Sequence, residues 1–469
     1  MPVDSLNDVG HLTKEIVNFA SDISYSDVPP DVIEHTKLVL LDTLGAILAA
    51  SNPKYPAGRI IAGFVRNIGG VEESTIIGQG FKSSCVNAAL VNATFGYYCD
   101  IEAYDPEAVV HAAAAVVPTC LAVGEREKLD GKHLLLALIL GIDVSCRVSL
   151  ALNPRVLYKR GFHPSSIAGT IGAAVAAGHL LNLNVREYPV ALGLAAQQTS
   201  GLLAWKEDFS ENSRSLNCGI AARNGVTAAL LARLGFGGPP DIFEGIYNIF
   251  RAYSRDSESN PDQLTRNLGA DFFIMEHAFK RYSCCGFLHP GLDALLGIMD
   301  EHNLESGDIG AIILRFPKNG TELIDGTELR SHSAQYMFAI AALDRQVMID
   351  DISYDRRSEP EINRLVKKVE VVGDEGLDVG YPEQYPSIVE ITTTESKRFS
   401  KRVDYAAGTP QNPFTRDEIE KKFFELSGQA LGESTKKAIR DLVRDIEQVK
   451  DVGLLIGYLQ GKPQHVVLE

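Results

Sequence analysis

A histidine near the middle of the chain has a setting that suits acid–base chemistry. The stretch Lys159–Ala174 begins with a basic pair, passes through His163, and becomes a helix pattern rich in small residues. Pro164 fits the first helical position, where its missing N–H is not needed. We therefore predict that His163 lies at a helix N-terminus, beside free N–H groups and the positive end of the dipole. Such a place attracts carboxylates and lowers the pKa of an imidazole, which keeps the ring neutral and able to accept a proton.

Three further clusters gather ionisable side chains within apolar surroundings. They are Asp100–His111, Trp205–Gly219, and Lys280–Pro290 together with Arg330–Tyr336. His111 repeats the setting of His163, because an alanine-rich helix pattern follows it. Taken singly, each cluster also has an ordinary interpretation as a solvated acidic loop, a surface basic pair or a helix start with a surface histidine. The spacings H-x-x-x-H and H-E-x-x-H do not occur, so we predict no metal site.

The elements that position these clusters are mostly helices. Apolar residues recur every three or four positions from about residue 11 to residue 268 and again after residue 415. We predict helices at 11–23, 31–50, 85–98, 111–126, 132–151, 164–181, 186–204, 219–235, 241–253, 290–303, 331–344, 416–426 and 434–446. Between them, 309–317, 366–372 and a hairpin over 387–405 have the alternation or β-branched content of strands. The predicted fold is mainly α: a large all-helical domain built from both chain ends (1–268 and 408–469), with an inserted smaller α+β lid domain (269–407).

Charge and cysteine usage exclude several classes of function. The chain has 469 residues and a formal net charge of −16, which argues against nucleic acids and anionic membrane surfaces as partners. Its seven cysteines are an odd number without C-x-x-C spacing, which favours reduced thiols over a disulfide framework. The N-terminus lacks the pattern of a signal peptide, and the longest apolar run is too short for a membrane span. We therefore predict a cytoplasmic protein with no membrane partner.

The order of several short motifs resembles that of the MmgE/PrpD family. Each motif is weak alone, but together they run nearly end to end. They are Leu40–Gly45, His111 with Val116–Pro118, Gly161–Pro164 with Gly169–Gly172, Gly219–Gly225, Phe279–Tyr282 with His289, Ser333–Tyr336, and Gly408–Pro413 with Lys422. The resemblance implies a large helical domain, a smaller α+β lid and a homodimer. It also implies a small anionic carboxylate as substrate.

The resemblance also implies roles for individual residues. His111 and His163 match the two active-site histidines of the family, and Tyr336 matches its lid-domain tyrosine. Lys280 and Arg281 match positions where the family presents positive charge. Together with Arg214 as a catalytic candidate, these residues would hold a polycarboxylate and move a proton next to a carboxylate without any cofactor. The remaining substrate-binding candidates are His289, Asp100, Tyr104 and Lys206.

Two positions depart from the pattern of the dehydratases and decarboxylases in the family. Glu102–Tyr104 stands where those members usually carry an Asp-Asp-Thr-like motif, and Arg214 stands in place of a lysine. An arginine keeps its proton at working pH, so it can bind a carboxylate but does not donate the proton. The donor would then be Tyr336, a histidine or Lys206.

Three hypotheses for the function follow. The first is a cofactor-independent lyase that dehydrates or decarboxylates a small di- or tricarboxylate, as 2-methylcitrate dehydratase and cis-aconitate decarboxylase do. The second is an epimerase or racemase of an imino- or amino-dicarboxylate such as iminodisuccinate. The third is a non-catalytic family member that binds a metabolite.

Overall fold

Helices dominate the structure, which confirms the mainly α fold. The computed structural model describes residues 9–255, 257–381, 384–428 and 430–461. The α-helices are α1 His11–Asp22, α2 Pro30–Ala50, α3 Ala62–Ile68, α4 Cys85–Tyr98, α5 Ala112–Glu127, α6 Gly131–Leu152, α7 Pro154–Lys159, α8 Pro164–Leu180, α9 Glu187–Ala196, α10 Asn212–Arg233, α11 Ile249–Tyr253, α12 His289–Glu301, α13 Ala334–Asp344, α14 Ile349–Ser353, α15 Pro360–Val366, α16 Arg416–Leu426, α17 Glu433–Arg444 and α18 Gly453–Leu459.

The strands form two small sheets. Strands β1 (Ser74–Ile76) and β2 (Phe81–Ser83) form an antiparallel pair. The second sheet has the order β4-β3-β5-β6, in which only the β3–β4 pairing is parallel. Its strands are β3 Ile309–Pro317, β4 Val369–Asp374, β5 Ser387–Thr393 and β6 Arg398–Val403.

Short helical turns complete the described elements. A π-helical turn covers Ala57–Ile61. The 3₁₀ turns are Tyr25–Asp27, Leu203–Glu207, Pro261–Leu264, Phe273–Glu276, Gly286–Leu288, Ser306–Asp308, Lys318–Leu323, Arg330–His332, Glu375–Gly380 and Ile446–Gln448.

Two large hydrophobic cores and one small cluster around Tyr97 hold the described elements together. The larger core joins helices from both ends of the chain, from Ile16 on α1 to Leu459 on α18. The smaller core lies within the segment from Tyr282 to Ile391 and packs helices against the four-stranded sheet. Its alternating burial along β5 is the pattern of a strand with one face in the core. We call the segment from Tyr282 to Val403, which carries this smaller core, the smaller domain. The predicted domain boundaries at 268 and 408 stay predictions.

Small residues let the central helices approach closely. A Cβ atom added at Gly172 of α8 would lie 2.3 Å from the carbonyl oxygen of Gly141 on α6, so only glycine fits there. Gly219 of α10 has the same role against α4, where a Cβ atom would lie 2.7 Å from the Leu90 carbonyl oxygen. This close packing fixes the ends of α4, α8 and α10, which carry the polar clusters.

One core helix also has the length and composition of a membrane span. Helix α6 is the only one among the described residues that does, and 94% of its most apolar window is buried inside the protein. It packs against α5 and α8. A core helix passes the same test as a span, so α6 is weak evidence for a membrane segment, and the cytoplasmic location stays a prediction.

Three predicted helices differ from the structure. The prediction for 186–204 is too long, because α9 ends at Ala196 and the chain continues as a loop to the 3₁₀ turn at Leu203. The prediction for 241–253 is wrong over 241–248, because Gly245 has a φ of 80° and the Asn248 side chain caps α11 by accepting a hydrogen bond from the Arg251 N–H at 3.0 Å. Helix α10 begins at Asn212, well before the predicted start at 219. Arg214 therefore lies in the first turn of a helix and not in a loop.

Candidate active site

A small cavity collects residues from three of the four polar clusters. It has a volume of about 60 Å³ and lies between the segment 97–111, the first turn of α10 and the smaller domain. Six of the predicted site residues line it. These are Asp100, Tyr104, His111, Lys206, Arg214 and Lys280.

The segment before α5 has an unusual backbone. Asp100 follows α4 with a φ of 49°, and Val109 has a φ of 52°. A β-branched residue such as valine rarely adopts this left-handed region, at a cost of roughly 1–3 kcal/mol. Both residues line the cavity, so the strained backbone directs this segment toward it.

Asp100 lies at the centre of a buried ion cluster. One of its oxygens, Oδ1, is 2.5 Å from Lys280 Nζ and 3.2 Å from Arg214 Nη1. Burial alone would raise the pKa of Asp100, but the guanidinium of Arg214 and the ammonium of Lys280 hold it well below its ordinary value. The cluster holds two positive charges and one negative charge, so one net positive charge faces the cavity.

Aromatic rings support both cations. The guanidinium carbon of Arg214 lies 4.6 Å from the centre of the Tyr97 ring, and Lys280 Nζ lies 5.0 Å from that of Tyr104. The Nε and Nη2 atoms of Arg214 have no hydrogen-bond partner among the residues that the structure describes. A helix dipole disfavours a cation in the first turn, so Asp100 and Tyr97 hold Arg214 against the local preference. Both donors are buried, so their hydrogen-bonding capacity is unused beside the cavity.

His111 forms a close pair with a buried carboxyl group. Its Nδ1 atom lies 2.6 Å from Oε1 of Glu102, and its backbone N–H donates to Oγ of Ser165 at 3.1 Å. Burial, followed by the charge of Lys280, holds the pKa of His111 well below its ordinary value. Burial also raises the pKa of Glu102 to about 7, an effect that Lys280 opposes and Asp100 reinforces. The pair therefore gains or loses a proton near neutral pH.

His163 lies one layer behind the cavity wall. It precedes α8, and Pro164 opens that helix, as the sequence predicts. Its Nε2 atom lies 3.2 Å from the Tyr97 hydroxyl, and its ring stacks on Tyr97 and meets the edge of Trp205. Burial, followed by the charges of His111 and Arg214, lowers the pKa of His163 to about 3. Tyr97 lines the cavity, whereas His163 reaches it only through that hydroxyl.

The smaller domain supplies a second imidazole to the wall. The Nδ1 atom of His332 lies 2.9 Å from Oγ of Ser331, whose hydroxyl donates to Glu211 at 2.8 Å. Burial lowers the pKa of His332 to about 3, an effect that Asp100 opposes. Glu211 precedes α10 with a φ of 64°, so this chain of hydrogen bonds also joins the two domains next to Arg214.

Two tyrosine hydroxyls meet in the cavity wall. Tyr104 and Tyr385 form a hydrogen bond through their hydroxyl groups. Tyr104 also exchanges backbone hydrogen bonds with Ala278, two residues before Lys280. These contacts tie the segment that carries His111 to the segment that carries Lys280.

A metal ion would meet repulsion in this cavity. The donor atoms of Asp100, Glu102 and His111 lie within 4.8 Å of one another, which is close enough for a shared ion. However, Oδ1 of Asp100 already forms ion pairs with Lys280 and Arg214, whose positive charges would repel a metal ion. The charges therefore favour an anionic ligand over a cation.

Both halves of the chain match family models. The MmgE/PrpD N-terminal domain matches residues 14–262, and the MmgE/PrpD C-terminal domain matches residues 282–448. The chain belongs to the MmgE/PrpD family. This confirms the family predicted from the motifs.

Several curated relatives of this MmgE/PrpD chain carry the name of one enzyme. A cis-aconitate decarboxylase from Aspergillus terreus is 25% identical over 96% of this chain and 96% of its own length. Human cis-aconitate decarboxylase is 26% identical over 92% of this chain and 90% of its own length. The cis-aconitate decarboxylase-like protein oryM of Aspergillus oryzae is 24% identical over 98% of this chain and its whole length. Family and relatives together indicate a lyase.

Three residues predicted for the site of this MmgE/PrpD protein lie elsewhere. The Tyr336 hydroxyl points into the smaller domain and contacts the carbonyl oxygens of Asp351 and Tyr354 at 2.9 and 3.2 Å. Arg281 faces away from the cavity, with 45% of its side chain exposed and Asp293 at 3.6 Å. His289 is buried in the smaller domain, where its Nε2 lies 3.4 Å from the Cys284 carbonyl oxygen. The cavity wall contains none of the three.

Several residues of the cavity wall are not among the predicted site residues. Tyr97 lies within an apolar helix pattern and Tyr385 precedes a strand, so neither stands out by its neighbours. His332 does have a local signal, because it comes just before the N-terminus of α13 as His163 does before α8. The same helix-start rule that selected His163 would have found it.

Proposed function

We propose that the protein is a decarboxylase of a cis-aconitate-like di- or tricarboxylate that needs neither metal nor organic cofactor. The observation that carries the proposal is the cavity in which a net positive ion cluster faces the His111–Glu102 pair. The names of the curated relatives support the choice of decarboxylation among the reactions of the family.

The substrate would bind through its carboxylates. The unused donors of Arg214 and the ammonium of Lys280 are charge-assisted partners for two carboxylate groups. A substrate that brings two or three negative charges next to His111 would raise the pKa of that imidazole and promote its protonation. The proton would come from Glu102, whose carboxyl group holds one up to about pH 7.

The chemical step would break one carbon–carbon bond. CO₂ leaves, and the electron pair stays on carbon, where a remaining conjugated carboxylate and the two cations stabilise the charge. His111 then delivers its proton from Nε2 to carbon, and the pair takes up one proton from water for the next turnover. The proton donor, for which Tyr336, a histidine and Lys206 were the candidates, would thus be the histidine His111. The Tyr97 hydroxyl, which lies 3.2 Å from His163 Nε2, would help to position the substrate beside it.

One observation favours an epimerase as the second candidate. His332 gives the cavity a second imidazole besides His111, and an epimerase needs two groups that exchange protons with one carbon. In that reaction a proton leaves the substrate first, so the His111–Glu102 pair would have to begin without its extra proton.

A single assay separates these candidates. Proton NMR in D₂O with cis-aconitate, 2-methylcitrate, citrate and iminodisuccinate follows decarboxylation, elimination, exchange and epimerisation together. We expect loss of CO₂ from an unsaturated tricarboxylate, with one deuterium in each product molecule. His111→Gln should abolish the reaction, whereas His133→Gln, at an exposed histidine on α6, should not. Exchange of a substrate C–H without loss of CO₂ or water would favour the epimerase, and binding without any reaction would favour the non-catalytic hypothesis.

The homodimer and the cytoplasmic location belong to the same proposal. Both rest on the family resemblance and the composition. Sedimentation velocity of the purified chain tests the first, and a mass near 102 kDa, twice the 51.0 kDa of one chain, is the expected result.

A further inference from the structure

A second cavity adjoins the candidate active site. This outer chamber has a volume of about 510 Å³, compared with about 60 Å³ for the inner cavity. The two cavities share five wall residues and therefore touch. These are Val109, Tyr158, Lys206, Phe287 and Leu323.

The walls of the two cavities have different chemistry. The inner cavity contains the ion cluster and two imidazoles. The outer chamber has neither and is lined by apolar side chains such as Pro154, Leu203 and Tyr381. Its charged wall residues are the cations Arg155, Lys159 and Lys206 and the carboxylate of Glu322, so cations outnumber anions there. A passage that served only a small polyanion would gain nothing from these apolar walls.

We propose that the natural substrate is a di- or tricarboxylate with an apolar chain, whose carboxylate end reacts in the inner cavity while the chain lies in the outer chamber. This inference rests on the proposed function and specifies its substrate class. The exposed Arg155 and Lys159 lie on helix α7 at the outer chamber and attract the anionic molecule as it enters.

The apolar wall predicts how the reaction depends on chain length. Each buried methylene improves binding about fourfold through the hydrophobic effect. Leu203, Phe287 and Leu323 are only partly buried in the empty protein, so a chain would cover apolar surface that now faces solvent. The gain should appear in kcat/KM, because the chain is bound in both the ground state and the transition state.

The experiment compares substrates that differ in the length of their alkyl substituent, all measured with the purified protein. Substrates are cis-aconitate and its homologues with an unbranched methyl, butyl or hexyl substituent, and decarboxylation is followed by proton NMR. We expect kcat/KM to rise about fourfold per methylene over the first few methylenes. Leu203→Trp places a larger side chain in the outer chamber. In this variant, kcat/KM for the hexyl compound should be at least tenfold lower than in the wild-type enzyme. Leu202→Trp is the matched control. Leu202 is the exposed neighbour of Leu203 and lies outside the chamber wall, so in this variant kcat/KM should still rise with the length of the alkyl substituent.

The outcomes separate this inference from the proposed function. A kcat/KM that stays constant or falls from cis-aconitate to the hexyl compound would overturn the apolar-chain inference and leave the decarboxylase standing. If the wild-type enzyme decarboxylated neither cis-aconitate nor any of its homologues, both proposals would be overturned. The wild-type series alone decides the question if Leu203→Trp does not fold.

Discussion

Replacing Glu102 by glutamine tests the proton chemistry of the site most directly. The buried carboxyl group has a pKa of about 7 and lies 2.6 Å from Nδ1 of His111. Glutamine has nearly the same shape and can still contact His111, but it carries no proton that titrates near neutral pH. The variant therefore removes the proton store while it keeps the packing.

The pKa fixes both the direction and the size of the effect. Decarboxylation needs the protonated pair, so kcat/KM of the wild-type enzyme should fall as pH rises through about 7. The protonated fraction drops from one half at pH 7 to about one hundredth at pH 9, which is a decrease of about fiftyfold in rate. An epimerase or dehydratase that first abstracts a proton should show the opposite slope. In Glu102→Gln we expect the slope to vanish and kcat/KM near pH 7 to fall by about 10²–10⁴.

A second buried acid provides the control. Burial raises the pKa of Asp105 to about 7 as well, but this side chain does not line the inner cavity. Asp105→Asn should therefore keep the pH dependence. The assay is decarboxylation measured between pH 5.5 and 9.5. If the pH dependence of kcat/KM came from titration of the substrate, every variant would show it. A Glu102→Gln enzyme with an unchanged midpoint and slope would refute the reasoning.

Three further predictions concern single side chains. Arg214→Lys keeps the charge but loses the planar fork, so KM for a tricarboxylate should rise about tenfold or more in steady-state assays. An unchanged KM would show that Arg214 does not bind the substrate. Tyr97→Phe removes the hydroxyl between His163 and the cavity and should lower kcat by about 10–10² with little change in KM. If KM rose by the same factor while kcat stayed unchanged, Tyr97 would bind the substrate and not take part in the chemical step. Asp105→Asn should raise the free energy of unfolding at pH 8 by up to about 4 kcal/mol, since the wild-type carboxyl group is ionised there against a pKa of about 7. This difference in the free energy of unfolding should shrink as the pH falls from 7 to 4, because Asp105 of the folded wild-type protein is then protonated and uncharged. Urea unfolding of both proteins across this pH range measures it.

The regular helices were predictable because their ends carry local signals. Helix α4 begins after Ser84, which caps it, and α16 begins after Thr415, which forms a capping box with Glu418. Both match their predicted bounds. The stretch 241–248 has an apolar pattern but contains Gly245, and the pattern alone did not show that the chain turns there.

The site was predictable only where a residue's neighbours in sequence are also its neighbours in space. His111 and His163 precede helices, and this local feature identified both. Tyr336 lies on α13 beyond His332, and the sequence could not tell which of the two faces the cavity. That choice depends on how α13 packs in the smaller core, where the Tyr336 hydroxyl contacts carbonyl oxygens of the chain that follows. Arg214 is held in the site by its ion pair with Asp100. The two residues are distant in sequence, so the sequence alone did not reveal this contact.

Both sides of the cavity contribute charged groups to it. The helical segment supplies Asp100, His111 and Arg214, and the later part of the chain supplies Lys280 and His332. If the two parts moved apart, the ion pair between Asp100 and Lys280 would break and the site would be lost. Distant stretches of the gene therefore constrain each other, so a substitution in one is tolerated only when its partner in the other remains compatible.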